Sequence, residues 1–428
     1  MKWRDWDTNL KVRLYGEGVI NLLFWLYFPF MSIYFAKFFG KGTAGFLLVI
    51  SQCISVAANL FGGYCADKFG RKRMMVFSHL GTSVAYSIFL LANSPWYESP
   101  IFTFIAFSML GIFGALYSPA SHAMVADVVP EKERSHVFAV FYVMVNICVV
   151  IGPVLGAFFF FSYRFELLTL AFITSVIFTF TLQRLIRETA PGLVDLSIQN
   201  SKDNEKWYSL LKEQFRNYRV IITDKTFFLF IIAGILFSLT FMQIDFLLPV
   251  YISETVTKQT LFSIKHWTLD ISAEQVYGII LAENALLVVL FTIYATKFSN
   301  RFKPYKVFMF SSCMYGISIF LFGQTTQIWG LIFTMLLFVI AELMVIGVQA
   351  SFVAKLAKEK MLAQYYAAAG LRFTLGKTLA PMSIPLVTLI GYRWTFIIIA
   401  LIAFTGAGLY YMMAILMRRK ERIHIKGR

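Results

Sequence analysis

The sequence has few charges, few cysteines and few histidines. Only 14% of its 428 residues are Asp, Glu, Lys or Arg, whereas soluble domains average about 25%. The five His are scattered without metal-ligand spacing, and no nucleophile lies in a pattern with a base. These absences argue against a soluble domain and a hydrolytic enzyme, and we predict no metal, no cofactor and no enzymatic activity.

The four cysteines lie within or at the ends of apolar runs, and no Cys-x-x-Cys pair occurs. Paired or clustered spacing is typical of disulfide frameworks and zinc sites. Their placement instead favours small apolar fillers. The four are Cys53, Cys65, Cys148 and Cys313.

Long apolar runs occupy most of the chain. Hydrophobic residues make up 58% of the sequence, and the mean hydropathy is +0.69. A helix of about 20 residues crosses a hydrocarbon core of about 30 Å. We therefore predict an all-α membrane protein with twelve transmembrane helices in two pseudo-symmetric six-helix halves. The predicted spans are residues 14–39, 43–66, 74–93, 101–126, 136–161, 165–184, 227–252, 274–297, 305–323, 327–355, 364–390 and 392–416.

Polar segments divide these spans into domains. The segment 185–226 separates six spans from six, and we predict that it carries an amphipathic helix at 207–218 on the membrane surface. The segment 253–273 is expected on the outer side. The predicted domains are an N-terminal six-helix half (1–184), a cytoplasmic linker (185–226), a C-terminal six-helix half (227–416) and a basic cytoplasmic tail (417–428).

An internal repeat supports two halves. Ala66-Asp67-Lys68-Phe69 is similar to Ala295-Thr296-Lys297-Phe298, and each stretch ends the second span of its half. Duplicated halves are a common plan of secondary transporters, with the substrate site between them. The second copy carries Thr296 in place of Asp67, so the role of the acid is not duplicated.

The positive charge is unevenly distributed along the chain. The net charge is +16, and most of the 39 Lys and Arg fall in alternate loops and at both termini. This positive-inside pattern favours membrane orientation over nucleic-acid binding. We predict a monomeric, multi-pass protein of the bacterial inner (cytoplasmic) membrane, with both termini in the cytoplasm, the lipid bilayer as partner and no nucleic acid.

The loop after the second span, GGYCADKFGRKR, is framed by glycines. Gly63 is expected to allow close helix packing, and Gly70 a sharp turn. Asp67 can accept hydrogen bonds from Arg71 or from an arginine of the next cytoplasmic loop, or lie at a helix N-terminus. Membrane orientation accounts for the basic residues of this loop but not for Asp67, because acids add little to the orientation signal.

Acids also lie within predicted spans, where an ionised carboxylate costs about 2.5 kcal/mol or more. Asp245 interrupts TFMQIDFLLPV in the seventh span, and Glu342 interrupts LLFVIAELMVIGV in the tenth. Burial favours the neutral form, so such an acid can take up a proton from one side and release it to the other. We predict proton coupling by these two and by Glu283 of the eighth span, with a structural hydrogen bond or ion pair as the alternative. Glu17, near the start of the first span, is a further candidate for a functional role. The alternative is that it is an ordinary solvated acid.

Two basic residues lie in the eleventh span, in AGLRFTLGKTLAP. Arg372 and Lys377 are five residues apart, so they project from different faces of a helix. A structural ion pair with an acid of the tenth or eighth span and a part in coupling are both open. Gly376-Lys377-Thr378 is similar to the end of a P-loop, but Leu371 stands where that motif needs a glycine. We therefore predict an ion gradient, not ATP, as the energy source.

The glycine-framed loop resembles the signature G-x-x-x-D-x-x-G-R-[KR]-[KR] of the major facilitator superfamily. The resemblance covers the whole chain, through twelve spans, the long middle segment and the eroded second copy of the loop. It implies that two cytoplasmic loops form a latch, closed in the outward-facing state and broken in the inward-facing one. The implied latch residues are Gly63, Asp67, Gly70, Arg71 and, from the second loop, Arg134.

A motif of the fifth span points to a branch of this family. IGPVLGA resembles the G-P-x-x-G motif of the drug–proton antiporters, through Gly152, Pro153 and Gly156. Cys148 stands in place of an upstream glycine, and the arginine of that branch is absent from the fourth span. Three further stretches are similar to the lactococcal proton-driven multidrug antiporters: AMVADVVPEKER (123–134), FMQIDFLLPVYIS (241–253) and AELMVIGVQ (341–349).

This closer resemblance assigns roles to particular residues. Phe141 stands where the family carries an acid on the fifth span, so the chain is expected to couple fewer protons or to couple them differently. The functional acids that the resemblance implies are Asp67, Asp127, Asp245 and Glu342, and Asp127 joins the predicted proton-coupling set. The predicted substrate cavity takes Glu17, Asp245, Glu342 and, from the eleventh span, Arg372.

The leading functional prediction is a proton-coupled exporter of amphipathic, often cationic, drugs that works by alternating access of its two halves. The aromatic content of 18%, with 46 Phe, suits such cargo through cation–π contact, although lipid-facing positions account for most of these residues. One alternative is a transporter of a single metabolite or lipid on the same fold. A non-transporting sensor or scaffold is the other, and the intramembrane acids disfavour it.

Overall fold

The structure, a computed structural model, describes residues 6–190, 224–264, 267–356 and 362–426. The amphipathic helix predicted at 207–218 lies outside these residues. The chain forms two compact units, Met1–Gly40 with Leu47–Asn204 and Lys41–Phe46 with Glu205–Arg428. The domain limits predicted from the sequence stay a prediction.

The first unit is helical apart from one short antiparallel hairpin. Polar side chains begin its helices: Asp7 accepts the backbone N–H of Asn9 at 2.7 Å, and Ser99 caps the helix that starts at Pro100. The elements are α1 (Thr8–Tyr27), α2 (Met31–Phe69), α3 (Arg71–Leu91), β1 (Asn93–Ser94), β2 (Tyr97–Glu98), α4 (Pro100–Val128), α5 (Glu131–Phe159) and α6 (Arg164–Leu185).

The second unit adds a longer hairpin to its helices. Its two strands pair antiparallel between residues 259 and 271, within the segment that the sequence places on the outer side. A capping box of Ser272 and Gln275 begins the next helix. The elements are α7 (Lys225–Phe241), α8 (Leu247–Thr255), β3 (Gln259–Ile264), β4 (Trp267–Ile271), α9 (Ala273–Ser299), α10 (Pro304–Phe322), α11 (Ile328–Leu356), α12 (Leu362–Leu379) and α13 (Ser383–Lys426).

Ten helical segments within the described residues are long and apolar enough to cross a membrane. Two of them, Thr8–Phe69 with 62 residues and Ala368–Arg419 with 52, are each long enough for two crossings. Each is kinked at a glycine, Gly40 or Gly391, whose φ is +74° or +79°, a conformation that other residues rarely adopt. The ten segments are therefore compatible with twelve spans.

Short 3₁₀ turns break three of the predicted spans, which the sequence patterns had suggested were continuous. Phe28–Phe30 separates α1 from α2, and Ala380–Met382 separates α12 from α13; each contains a proline, which lacks the N–H donor that a helix needs. Met242–Ile244 separates α7 from α8 without a proline. Broken helices leave backbone groups for polar side chains or ligands, and they are common at transporter binding sites.

The glycine motif of α5 brings that helix against the end of α1. A Cβ added at Gly156 would lie 2.1 Å from the carbonyl oxygen of Leu26, and one at Gly152 would lie 2.5 Å from the Cβ of Trp25. Only glycine permits such an approach. These glycines therefore fix the packing of α5 beside the Phe28–Phe30 turn.

Candidate functional site

An ion-pair cluster surrounds Arg71 at the start of α3. Its guanidinium binds Asp67, one turn earlier in the chain, and donates from Nε to Oδ2 of Asp127 at 3.4 Å. Gly70 connects α2 to α3 with a φ of +102°, which favours glycine. The ion pairs thus bring together two charged residues assigned to the latch, Asp67 and Arg71, and one residue assigned to proton coupling, Asp127. Their action as a latch stays a prediction.

Arg134, the fifth assigned latch residue, binds elsewhere. Its guanidinium donates to the backbone carbonyl of Ala126 at 2.6 Å and to that of Val129 at 3.1 Å. It therefore covers the C-terminal end of α4, where cations are favoured. Among the described residues, no ion pair joins it to Asp67.

Close packing in the glycine-framed loop occurs one residue from the predicted position. A Cβ at Gly63 would meet Pro119 at 4.0 Å, which is an ordinary contact. A Cβ at Gly62 would lie 2.9 Å from the carbonyl oxygen of Leu116. The closest approach to α4 therefore occurs at Gly62, because a helical rotation of about 100° per residue points the two glycines in different directions, and the packing role of Gly63 stays a prediction.

Residues just beyond α6 complete the cluster, and no sequence pattern pointed to them. Glu188 accepts at Oε1 the backbone N–H groups of Arg71 at 2.8 Å and of Lys72 at 3.4 Å. Thr189 donates its hydroxyl to Asp127 at 3.1 Å. Burial by itself would raise the pKa of Glu188, but backbone N–H donors bring that pKa below its usual value. The carboxylate thus caps the N-terminus of α3, where negative charge is favoured.

In the second unit, Asp245 lies directly after the Met242–Ile244 turn. The carbonyl of Ile244 accepts the hydroxyl of the buried Tyr277, from α9, at 2.9 Å. This bond satisfies a carbonyl that the helix break leaves unpaired. The break therefore places a carboxylate inside a helical bundle at a point where the backbone is already irregular.

Gln243 ties this break to the one that follows α12. Its amide nitrogen donates to Leu239 at 2.8 Å and to the carbonyl of Ala380 at 3.4 Å. Its side-chain oxygen is buried and has no hydrogen-bond partner among the described residues. A buried, unsatisfied oxygen is costly unless a ligand or water binds to it.

Three charged residues of the second unit interact electrostatically, and we call Asp245, Glu342 and Lys377 the acid group. Asp245 lies within electrostatic range of the other two. Glu342, in the middle of α11, accepts the amide of Asn284 at 2.9 Å. Glu283 precedes Asn284 on α9 and so projects in another direction; its buried Oε2 has no hydrogen-bond partner among the described residues.

Aromatic rings lie beside the acid group. Phe241, four residues before Asp245, stacks on Phe338 with 5.9 Å between ring centres. Tyr315 packs against Phe338 at 4.5 Å and lies within electrostatic range of Glu342. The acids therefore have one aromatic side, formed by α7, α10 and α11.

The first unit contains a buried ion pair between Arg13 and Glu17. Glu17 is therefore not the solvated acid that the sequence allowed as an alternative. Arg13 donates from Nε to Oε1 of Glu17 at 2.7 Å. The hydroxyls of Tyr117 and Ser121 donate to the same oxygen at 2.7 and 2.9 Å. Phe141 places its ring 4.9 Å from the guanidinium of Arg13.

Arg372 is buried without a carboxylate partner among the described residues. Its Nε donates to the carbonyl of Ala369 at 2.8 Å, and its guanidinium lies 4.1 Å from the ring centre of Phe230. One guanidinium nitrogen has no hydrogen-bond partner in the described part of the chain. The ion pair that the sequence left open for Arg372 is therefore absent there, whereas Lys377 does belong to an acid group.

Comparison with known proteins identifies the family. The profile of the Major Facilitator Superfamily matches residues 16–264 and 256–427. A "Na(+), Li(+), K(+)/H(+) antiporter" of Planococcus maritimus is 48% identical over 413 residues, which cover 96% of this chain and 97% of that protein. The multidrug resistance protein MdtH of Photorhabdus laumondii is 28% identical over 146 residues, which cover 34% of this chain and 35% of that protein.

Solved structures share the fold. A POT family transporter, crystallised with a thioalcohol-conjugated peptide, superposes with a TM-score of 0.74 at 16% identity, over 95% of this chain and 96% of that one. At this identity the likeness concerns the fold alone. The predicted superfamily is confirmed, and the drug–proton antiporter branch with its lactococcal group stays a prediction. The chain belongs to the Major Facilitator Superfamily of multi-pass membrane transporters.

Proposed function

We propose that the protein is an antiporter that exchanges protons for monovalent metal cations at Asp245 and Glu342. The observation that carries this proposal is the acid group, in which Asp245, directly after a helix break, lies within electrostatic range of a second carboxylate and of an ammonium group. The relative from P. maritimus, named as an antiporter of sodium, lithium and potassium, supports this class of cargo.

The charges of the acid group favour a cargo with one positive charge. With Asp245 and Glu342 ionised and Lys377 protonated, the group carries one net negative charge. One proton or one monovalent cation neutralises it, whereas a divalent cation leaves an excess positive charge. Because a net charge inside a membrane protein is costly, the group holds either the proton or the cation. That competition is what exchange requires.

Oxygen atoms near the acid group suit a hard cation. Carboxylate and amide oxygens are the usual ligands of such ions. Gln243 has a buried side-chain oxygen without a hydrogen-bond partner among the described residues, and a bound cation would satisfy it. The adjacent breaks allow backbone carbonyls to contribute as well.

The transport cycle follows the family plan. The Arg71 cluster acts as a latch that closes in one state and opens in the other, so the cation and the proton reach the acid group from opposite sides. The positive-inside pattern supports a bacterial cell membrane location with both termini in the cytoplasm.

Exchange in proteoliposomes tests the proposal. Vesicles containing the purified protein and a pH-sensitive dye receive sodium, potassium or lithium on the outside. Each cation should raise the internal pH in a saturable manner as protons leave in exchange, and choline should not. A pH response no larger than that of protein-free vesicles for all three cations contradicts the proposal.

Export of amphipathic organic cations is the second candidate. The aromatic side of the acid group, formed by Phe241, Tyr315 and Phe338, favours it, because aromatic faces attract organic cations. The partial similarity to MdtH supports the same class. Dye export driven by a pH gradient but unaffected by sodium would favour this candidate over metal-cation exchange. Competition between the dye and sodium for transport would mean that the acid group accepts both kinds of cation.

A further inference from the structure

A basic cavity in the first unit contains none of the residues of the acid group. It has a volume of about 600 Å³ and lies where α3 begins and the chain leaves α6. Its walls combine charged and apolar side chains. The lining residues are Lys72, Arg73, Val76, Phe77, Gln183 and Glu188.

The cavity has one positive charge in excess. Lys72 and Arg73 supply two positive charges, and neither has an ion-pair partner among the described residues. Glu188 is the one acid of the lining, and its Oε1 is already occupied by the backbone N–H groups that begin α3. The balance of charge therefore suits a ligand with a single negative charge.

An apolar path leads away from the basic residues. Val76 and Phe77 follow Lys72 and Arg73 by one helical turn, and Phe77 is 57% exposed. Leu80, 55% exposed, continues along α3, and Phe180 of the neighbouring α6 is 57% exposed. A free anion gains nothing from such a path, whereas a lipid that joins a phosphate to acyl chains buries apolar surface along it.

We propose that this cavity binds the phosphodiester of a monoanionic phospholipid, with the phosphate at Lys72 and Arg73 and the acyl chains along Phe77 and Leu80. Basic pockets at the ends of membrane helices recognise anionic head groups in this manner. The bound lipid lies next to Arg71, so it stabilises the end of α3 that carries the ion-pair cluster.

Lipid retention by the purified full-length protein tests the proposal. Native mass spectrometry of protein titrated with phosphatidylglycerol or phosphatidylcholine gives the affinity for each lipid. The double variant Lys72→Gln/Arg73→Gln should bind phosphatidylglycerol about 25-fold more weakly, since each basic residue near a membrane contributes about a fivefold preference for anionic lipid. Its binding of phosphatidylcholine should not change.

A matched control removes the same charge in the second unit. Lys303→Gln/Lys306→Gln alters two basic residues where α10 begins, and its affinity for phosphatidylglycerol should equal that of the wild type. Gln183→Lys adds a charge to the cavity at an exposed position and should tighten phosphatidylglycerol binding about fivefold. This gain of binding keeps the test decisive if the double variant does not fold.

Two results would overturn the proposal. One is unchanged phosphatidylglycerol affinity in both the double variant and Gln183→Lys. The other is equal affinity for the two lipids together with equal displacement by inorganic phosphate, which would mean that the cavity recognises free phosphate. Neither result depends on transport, so failure of the exchange assay leaves this inference standing.

Discussion

Each unit buries carboxylates beside a basic residue, but the two arrangements differ in how completely they are satisfied. In the first unit, Glu17 receives Arg13 and two hydroxyl donors on a single oxygen. In the second, Glu342 receives a neutral amide, and the buried oxygen of Gln243 has no hydrogen-bond partner within the described residues. A satisfied ion pair holds helices together, whereas an incompletely satisfied group can bind a ligand.

The helix breaks of the two units also differ in the groups that surround them. The Phe28–Phe30 turn contains Pro29 and sits against the glycine face of α5. The Met242–Ile244 turn contains Gln243 and leads directly into Asp245. One break is filled by packing and the other by polar groups. We infer that the first unit supplies structure near its break and the second supplies chemistry.

The largest effect should come from Asp245→Asn. The amide neither releases a proton nor neutralises a cation, so exchange in proteoliposomes should fall about 1,000-fold, equivalent to about 4 kcal/mol. Folding should be retained, since the side chain keeps its size. The matched control, Asp270→Asn in the exposed hairpin, should leave exchange unchanged. Exchange within tenfold of the wild type would remove Asp245 from the coupling mechanism.

Glu17→Gln should act on stability instead. It leaves Arg13 buried without its counter-charge, which costs about 3 kcal/mol, measured by chemical unfolding in detergent. Adding Phe141→Glu should restore much of the loss, because the ring of Phe141 already lies 4.9 Å from the guanidinium. A Glu17→Gln protein that is as stable as the wild type but lacks exchange would contradict a structural role for Glu17. It would instead support the predicted place of Glu17 in the substrate cavity.

Gly156→Ala tests the packing beside the first break. The new methyl group would overlap the carbonyl of Leu26, and the forced separation of α5 from α1 should cost about 2 kcal/mol of unfolding free energy. Gly408→Ala is the control, since a Cβ there would meet no atom within 4 Å. Equal unfolding midpoints for the two variants would contradict a packing role for Gly156.

Glu188→Gln should have the smallest effect. Hydrogen-bond donors hold the pKa of this acid below its usual value, so its stabilisation is complete above the unfolded-state pKa of about 4.3 and is lost as the pH falls through the lower, folded-state value. The loss at pH 7 should be at most about 0.5 kcal/mol, because solvent screens the group. Thermal unfolding should therefore show the wild type exceeding the variant at pH 7 but not at pH 3. An equal stability difference between wild type and variant at both pH values would show that the charge of Glu188 does not cause the stabilisation.

The sequence patterns indicated the family and drew attention to acids within apolar runs, both for clear physical reasons. A carboxylate such as Asp245 or Glu342 inside an apolar run is costly in a membrane, so its presence indicates a partner or a function. The glycine-framed loop resembles a known signature at six positions between Gly63 and Arg73. Neither inference requires knowing which face of a helix is buried.

Other features had no distinct signal in the chain. Arg13 lies in a basic N-terminal stretch, where the orientation pattern accounts for any arginine. Glu188 follows a predicted span as solvated acids commonly do. The break before Asp245 contains no proline that would have predicted it. Whether Gly62 or Gly63 approaches the neighbouring helix depends on the rotation of α2, and a helix that is apolar on all faces gives no pattern from which to predict that rotation.

The sequence by itself indicated a multi-pass membrane transporter with acids inside its apolar runs, because hydropathy and charge are properties of residues summed along a helix. The tertiary structure decided which charges are satisfied. It paired Glu17 with Arg13, used Glu188 to cap α3, and placed Asp245, directly after a helix break, within electrostatic range of Glu342 and Lys377. Pairing depends on distances between residues far apart in the chain, and only the packed helices set those distances.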